Sequence, residues 1–130
     1  MRDEMDEIIN SLKRFNFVHS IILFGSRAKY TNKKESDIDL CIIPERELSL
    51  KERLSLENIV PENVDLSLFR ELPINVRERV FREGRILYTK DMYHVLTLAK
   101  ETYSEYVRYK KLRKDYHMSV MKRIEARLGV

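Results

Sequence analysis

The sequence has little of several residue types, and each shortage narrows what the chain can be. Its single cysteine, Cys41, cannot form an internal disulfide, so a reducing cytoplasmic compartment is expected. No apolar run approaches the roughly 20 residues that span a bilayer, and the acidic start MRDEMDEIIN is unlike a signal peptide. Only three glycines and three prolines interrupt 130 residues that are 43% hydrophobic and 35% charged. That composition and length predict one globular core without a membrane anchor.

The net charge of +4 is unevenly distributed. Residues 1–90 hold 16 basic and 16 acidic side chains, whereas residues 91–130 hold nine basic and five acidic ones. A basic tail could meet nucleic acid, an acidic partner or only water. Nucleic-acid binding is not expected, because no aromatic cluster suited to base stacking accompanies the basic run RYKKLRK (108–114). The three histidines are scattered, so the sequence does not indicate a zinc site either.

Apolar spacing predicts alternating helices and strands over the first 90 residues. Helical spacing covers 4–14, Ser49 and Glu52 form a capping-box pattern that opens a short helix to about 58, and Pro73 begins a helix that ends near Gly84. The runs that read as strands are 18–25, 38–44, 64–69 and, at an edge, 85–88. The order α-β-β-α-β-α predicts an α/β (α+β) fold, a small mixed sheet backed by helices.

The tail has neither proline nor glycine between Asp91 and Gly129, which predicts one long helix or two stacked helices. We therefore assign 1–90 to a sheet domain and 91–130 to a C-terminal helical extension of the same globular unit. Five of the seven tyrosines lie in the tail. Two interpretations of it stay open, packing on its own domain and an interface with a partner or second copy. The residues expected near one side are Leu96, Ala99, Tyr103, Tyr106, Leu112, Tyr116, Val120, Ile124 and Leu128.

Three aspartates lie on the predicted strands or directly beside one. Asp37 and Asp39 are two residues apart and therefore point to the same face of a strand, while Ile38 and Leu40 point to the other. Two like charges side by side repel each other, and a hard divalent cation with oxygen ligands is the usual remedy. If the later strand that carries Asp65 neighbours this one, Asp65 joins the pair and completes a cluster of three carboxylates.

A Gly-Ser turn precedes the aspartates by ten residues. Gly25 lets the backbone bend where the first strand ends, and Ser26 with the following amides can present N–H groups and a hydroxyl to a phosphate. Arg27 and Lys29 add positive charge beside it. Separately, a Gly-Ser pair, an Asp-x-Asp and a lone aspartate are commonplace. Together they predict a phosphate cradle beside a metal cluster, which is the apparatus of two-metal phosphoryl or nucleotidyl transfer.

These residues resemble a known signature. Gly25-Ser26, ten residues, Asp37-Ile38-Asp39-Leu40 and a later Asp65 are similar to the motif of the DNA polymerase β nucleotidyltransferase superfamily. The short chain and the wording GSRA…SDIDL are similar to the minimal nucleotidyltransferases, the MNT antitoxins, over about residues 5–88. The resemblance implies that Asp37 and Asp39 bind Mg²⁺, that Asp65 completes the site as a base or metal-orienting group, and that Gly25 and Ser26 hold the phosphates of the nucleotide.

The resemblance also implies a partner and a reaction. MNT proteins are commonly paired with a HEPN-domain ribonuclease toxin, and the family silences that toxin by moving AMP from ATP to its tyrosine hydroxyls. A hetero-oligomer with such a toxin is expected. Two alternatives stay open: an antitoxin that neutralises the toxin by binding alone, and a nucleotidyltransferase that acts on a small molecule or an RNA end.

Overall fold

A computed structural model of the chain describes residues 2–25 and 38–129. The elements follow the predicted order, and their ends differ from the predicted ones by at most two residues. A 3₁₀ turn at Phe69–Glu71 was not predicted. The elements are α1 (Arg2–Leu12), β1 (Val18–Phe24), β2 (Ile38–Pro44), α2 (Leu50–Ile59), β3 (Val64–Leu68), α3 (Ile74–Glu83), β4 (Arg85–Thr89) and α4 (Met92–Leu128).

The four strands form one mixed sheet in the order β3-β2-β1-β4. β2 and β3 are parallel, as a connection through the crossing helix α2 requires, while β1 is antiparallel to both of its neighbours. The predicted fold class is therefore confirmed, and β3 and β4 are the edges of the sheet. The assignment of 91–130 to an extension of the same globular unit stays a prediction.

Each face of the sheet carries its own apolar core, because side chains alternate along β2. Ile38, Leu40 and Ile42 pack on one face with residues of α1 and α2, as predicted. Cys41 and Ile43 pack on the opposite face with residues of the 3₁₀ turn and α3. Burial of Cys41 raises the pKa of its thiol to about 12. A buried thiol that stays protonated is suited to packing rather than to nucleophilic chemistry.

The capping box of α2 forms as predicted. The Glu52 amide donates to Ser49 Oγ at 3.2 Å, and the Ser49 amide donates to Glu52 Oε1 at 2.9 Å. Arg46 donates to both oxygens of the same carboxylate at 2.9 and 2.7 Å. The hydrogen bonds from Arg46, and then the one from the Ser49 backbone, lower the pKa of Glu52 to about 2. The start of α2 is therefore fixed by side chains that are close in sequence.

The tail is a single helix of 37 residues, α4, and its first half packs on α3. Val95 and Thr102 are buried, and Arg77 of α3 donates to Glu105 at 3.2 Å. Of the residues expected near one side, Leu96 and Tyr103 are 61% and 60% exposed, whereas Ala99 and Tyr106 are half-buried. The spacing identified a helix correctly, but contact with α3 selects the neighbouring face. No helix among the described ranges is long and apolar enough to cross a membrane.

His19 ties the start of β1 to β4 and α4. Its ring lies 4.5 Å from that of His94, centroid to centroid, and its Nδ1 lies 2.7 Å from Ser20 Oγ. Ser20 Oγ donates its only proton to Thr89 Oγ1 at 2.8 Å, so it accepts the hydrogen from His19 Nδ1. Burial and then the neighbouring His94 lower the pKa of His19, whereas Glu45 and Asp91 oppose the shift and Lys90 adds to it.

Replacing Ser49 with alanine should lower the free energy of unfolding by about 1 kcal/mol, because the Glu52 amide loses its acceptor at the helix start. Urea unfolding of the two proteins measures the difference. Ser55→Ala is the matched control, since Ser55 lies inside the same helix and only donates back to the Lys51 carbonyl. An equal loss in both variants would contradict the role of the cap.

The lowered pKa of His19 gives stability a pH dependence of known sign. Between the folded pKa and the ordinary value of about 6.5, the unfolded chain binds more protons, so the free energy of unfolding falls as pH falls through that window. His19→Gln should flatten this dependence in urea unfolding between pH 7.5 and 5.5. His117→Gln, at an exposed position, should keep the wild-type slope. A wild-type slope in His19→Gln would disprove the assignment.

Candidate catalytic carboxylate site

Asp39 and Asp65 stand side by side on one face of the sheet. Asp39 of β2 is in register with Asp65 of parallel β3, and on its other side it is in register with Phe24 of β1. The Ile38 amide donates to the Asn63 carbonyl at 2.9 Å, which starts the ladder one residue before the aspartates. From the sequence, the pairing of these two strands was only a condition for Asp65 to join the site. The structure confirms that the two strands are neighbours. Two carboxylates in register on neighbouring strands form a set of oxygen donors.

Gly25 lies directly against the Asp39 carboxylate. Its φ of +88° falls in the region that favours glycine. A Cβ built on it would overlap Asp39 Oδ2 and lie 3.1 Å from Asp39 Cγ. The position therefore requires glycine for two independent reasons, conformation and space. The end of β1 and the start of β2 thus bring the predicted glycine and one predicted aspartate together.

Three predicted site residues, Ser26, Arg27 and Asp37, lie outside the described residues. Their roles stay predictions, including the placement of Asp37 on the same face as Asp39. Within 2–25 and 38–129, no group of three or more His, Cys, Asp or Glu side chains is placed to hold a metal ion. The pair Asp39 and Asp65 supplies hard oxygen donors of the kind that Mg²⁺ prefers, and the predicted third carboxylate would come from Asp37.

The residues around Asp39 and Asp65 on this face give the two carboxylates different surroundings. Cys41, next along β2 on the same side, is fully buried and its raised pKa keeps it neutral, so it is unsuited to act as a nucleophile. Phe24 packs against the core beneath this face. Asp39 is half-buried between two strands, whereas Asp65 is exposed on an edge strand. Apolar residues therefore lie next to the two carboxylates on this face, and Asp65 is the carboxylate that is exposed to solvent.

An open groove of about 380 Å³ runs beside Asp65 along the edge strand. It lies between the end of α2 and β3, and Glu57 and Glu62 make it acidic. This groove was not predicted from the sequence. A local signal for it is the short link Pro61-Glu62-Asn63, which brings the end of α2 close to β3. The residues that line it are Glu57, Val60, Pro61, Glu62, Val64, Asp65 and Leu66.

Gly25→Ala should lower the free energy of unfolding by more than the strain of a left-handed backbone alone. A left-handed alanine costs about 1–2 kcal/mol, and forcing the Asp39 carboxylate aside adds about 1–3 kcal/mol. Gly129→Ala is the matched control, since Gly129 has a φ of +75° and nothing within 4 Å of its Cβ position. Urea unfolding measures both variants. Equal destabilisation would show that contact with Asp39 contributes nothing.

Several solved structures of similar fold are toxin–antitoxin complexes. One is described as the tri-AMPylated Shewanella oneidensis HEPN toxin in complex with MNT antitoxin; this chain matches it with a TM-score of 0.73 and 22% identity, covering 92% of this chain and 98% of that one. A toxin–antitoxin complex with AMP-PNP matches with a TM-score of 0.70 and 23% identity, covering 92% and 97%. These likenesses establish a shared fold.

A relative and a family model extend the comparison to sequence. A Methanocaldococcus jannaschii protein named for protein adenylyltransferase activity is 25% identical over 75 residues, which are 58% of this chain and 59% of that protein. The matched segment thus spans less than two thirds of the relative. The family model described as polymerase beta, nucleotidyltransferase matches residues 6–93, a range that contains Gly25, Asp39 and Asp65. The chain belongs to the polymerase β nucleotidyltransferase family.

Proposed function

We propose that this protein is the antitoxin of a HEPN-domain toxin and that it transfers AMP from ATP to a tyrosine hydroxyl of that toxin in a Mg²⁺-dependent reaction. The observation that carries the proposal is the register of Asp39 with Asp65, with the Gly25 backbone against the Asp39 carboxylate. The two carboxylates proposed to hold a cation therefore lie beside the glycine of the turn proposed to bind phosphate. Two adjacent carboxylates repel each other, and a bound divalent cation would offset that repulsion.

Each site residue takes a role in this proposal. Asp37 and Asp39, with Asp65, would hold Mg²⁺, which supplies charge neutralisation for the triphosphate when it is bound. Gly25, Ser26 and Arg27 would hold the phosphates, because the first permits close approach of the backbone and the others supply a hydroxyl and a positive charge. Asp65 is exposed at the edge of the sheet, where an acceptor can reach it, and it is proposed to accept the proton of the attacking hydroxyl.

The proposed reaction forms one bond, breaks one bond and transfers one proton. The tyrosine Oη forms a bond to the α-phosphorus of ATP, and the bond from that phosphorus to the pyrophosphate oxygen breaks. The Oη proton passes to the Asp65 carboxylate, and pyrophosphate leaves with the electron pair. The acidic groove beside Asp65 gives the acceptor segment an approach from the open edge of the sheet, and it favours a segment that carries basic residues.

The choice of acceptor and nucleotide is supported by the structural relatives. A complex of the same fold contains a toxin that carries three AMP groups, and another contains AMP-PNP. The sequence relative is named for the same transfer to protein. A HEPN toxin as acceptor also suits a site that opens on an edge strand, since a protein segment can lie along such an edge.

Intact mass spectrometry of the cognate HEPN toxin tests the proposal. Incubation with this protein, Mg²⁺ and ATP should add one or more AMP units to the toxin, and the other nucleoside triphosphates should be compared in parallel. Asp39→Asn should slow the addition at least about 100-fold, because several kcal/mol of charge stabilisation is lost. Tyrosine-to-phenylalanine variants of the toxin locate the acceptor.

Asp6→Asn is the control for the charge change, since Asp6 is exposed on α1, which packs on the other face of the sheet. It should transfer AMP at the wild-type rate. A stable complex that gains no mass with any nucleotide would overturn the enzymatic function and leave neutralisation by binding alone. Transfer to a small molecule or an RNA end, with the toxin unmodified, would favour the remaining alternative.

A further inference from the structure

The second half of α4 has no partner in the described part of the chain. We call residues 107–128 the distal segment; it is about 33 Å of helix. Past Tyr109 every residue to Gly129 is exposed except half-buried Val120. Large apolar side chains are nevertheless frequent there: Leu112 and Tyr116 are each 68% exposed and Ile124 is 43% exposed. A single exposed apolar residue needs no explanation, but a row of them along one helix indicates an interaction surface.

The row continues the face by which α4 packs on its own domain. Val95 and Thr102 are buried against the domain, and sevenfold spacing carries the same face to half-buried Tyr109 and exposed Tyr116. α3 has only 10 residues, about 15 Å, so it cannot follow a helix of about 55 Å. The apolar face therefore extends beyond the helix that covers its first half. A second helix that packed beside the distal segment, as α3 packs beside the first half of α4, would cover the rest of this face.

The charge of the distal segment selects the kind of partner. It contains eight lysine and arginine residues against two acidic residues, a net charge of +6 in a chain whose total is +4. Two copies paired through this segment would bring like charges together, which is unfavourable at contact distance. A partner surface that carries Asp and Glu beside its apolar row would instead be attracted. Arg113 and Arg127 lie on the apolar side and are placed to meet such carboxylates.

The apolar row favours a protein over a nucleic acid. Binding to RNA phosphates needs only the basic residues, and it leaves Val120 and Ile124 without a role. Tyrosine and arginine interleaved with aliphatic side chains are typical of the centres of protein interfaces. Tyr109, Arg113, Tyr116 and Val120 have this composition on one side of α4.

We infer that the distal segment docks on a helix of the HEPN toxin that carries an apolar row flanked by acidic residues. Tyr109, Tyr116, Val120 and Ile124 enter the interface, and Arg113 and Arg127 pair with the carboxylates. The inference rests on the proposed function in one respect, the identity of the partner. It adds that the toxin is held by α4 while the carboxylate site acts on it, so that affinity and catalysis are carried by different parts of the chain.

Calorimetric titration of the purified toxin into the full chain tests the docking surface. Tyr116→Ala should weaken binding by about 30-fold, as expected of a central interface tyrosine. Met118→Ala is the matched control, because Met118 is 51% exposed and lies on the opposite side of the same helix turn. It should change the affinity by less than about 3-fold. Alanine favours helix, so circular dichroism should show both variants with the wild-type helical content.

Two charge-reversal variants test the proposed pairing of the distal segment with carboxylates of the toxin. Arg113→Glu should weaken toxin binding more than Lys122→Glu, since the two residues lie on opposite sides of α4. The wild-type affinity should also fall as salt is raised. Wild-type affinity in both Tyr116→Ala and Arg113→Glu overturns the inference. So does a dimer of the isolated wild-type chain that Tyr116→Ala dissociates, or binding of a single-stranded RNA oligonucleotide that Arg113→Glu abolishes while toxin affinity is unchanged.

The two proposals fail in different measurements. AMP transfer by Tyr116→Ala, followed by intact mass at saturating toxin, should reach the wild-type extent, because the variant leaves the carboxylates untouched. Absence of transfer in the wild type overturns the proposed reaction, while the affinity series still decides the docking surface. Absence of any wild-type complex overturns the docking surface and the choice of partner together.

Discussion

The parallel pairing of β2 with β3 is the constraint on which the site depends. In that register Asp39 meets Asp65, and a slip of one residue would send one carboxylate to the opposite face. The pairing brings two negative charges together, which taken alone is unfavourable. It is held by the apolar residues on either side of Asp39, since Ile38 and Leu40 are buried in one core and Cys41 in the other. Burial of the neighbouring apolar side chains thus determines the positions of Asp39 and Asp65.

Much of the sheet could be predicted because its signals are local. Alternation along IDLCIIP identified β2 and assigned its faces, and Ser49 with Glu52 marked the start of α2 three residues apart. Adjacency of β2 and β3 could be stated only as a condition, because strand pairing joins segments about 25 residues apart and leaves no pattern in either one. The same limit hid the groove that Glu57 and Glu62 form beside Asp65, and the fit of Gly25 against Asp39.

The helix α4 shows where periodicity stops being informative. Its sequence has apolar residues at both 95 and 96 and, again, a small side chain at 102 beside a tyrosine at 103. Two adjacent faces therefore satisfied the helical spacing equally well, and the expected side included the large residues Leu96 and Tyr103, which are exposed. Contact with α3 decides between them, because Arg77 reaches Glu105 and Leu98 packs against the cluster that contains Val80. Packing selects by fit at the contact, and a count of apolar residues contains no information on fit.

The unequal exposure of the two carboxylates follows from the strand order. Asp39 lies on a strand with a neighbour on each side and with Gly25 against its carboxylate, and it is half-buried. Asp65 lies on the edge, where the described residues place nothing beyond it in the sheet. Under the proposed function this difference matches the division of labour: the enclosed carboxylate positions the cation, and the open one meets an acceptor brought from outside. The edge position of β3 is what would give the proposed protein substrate access to Asp65.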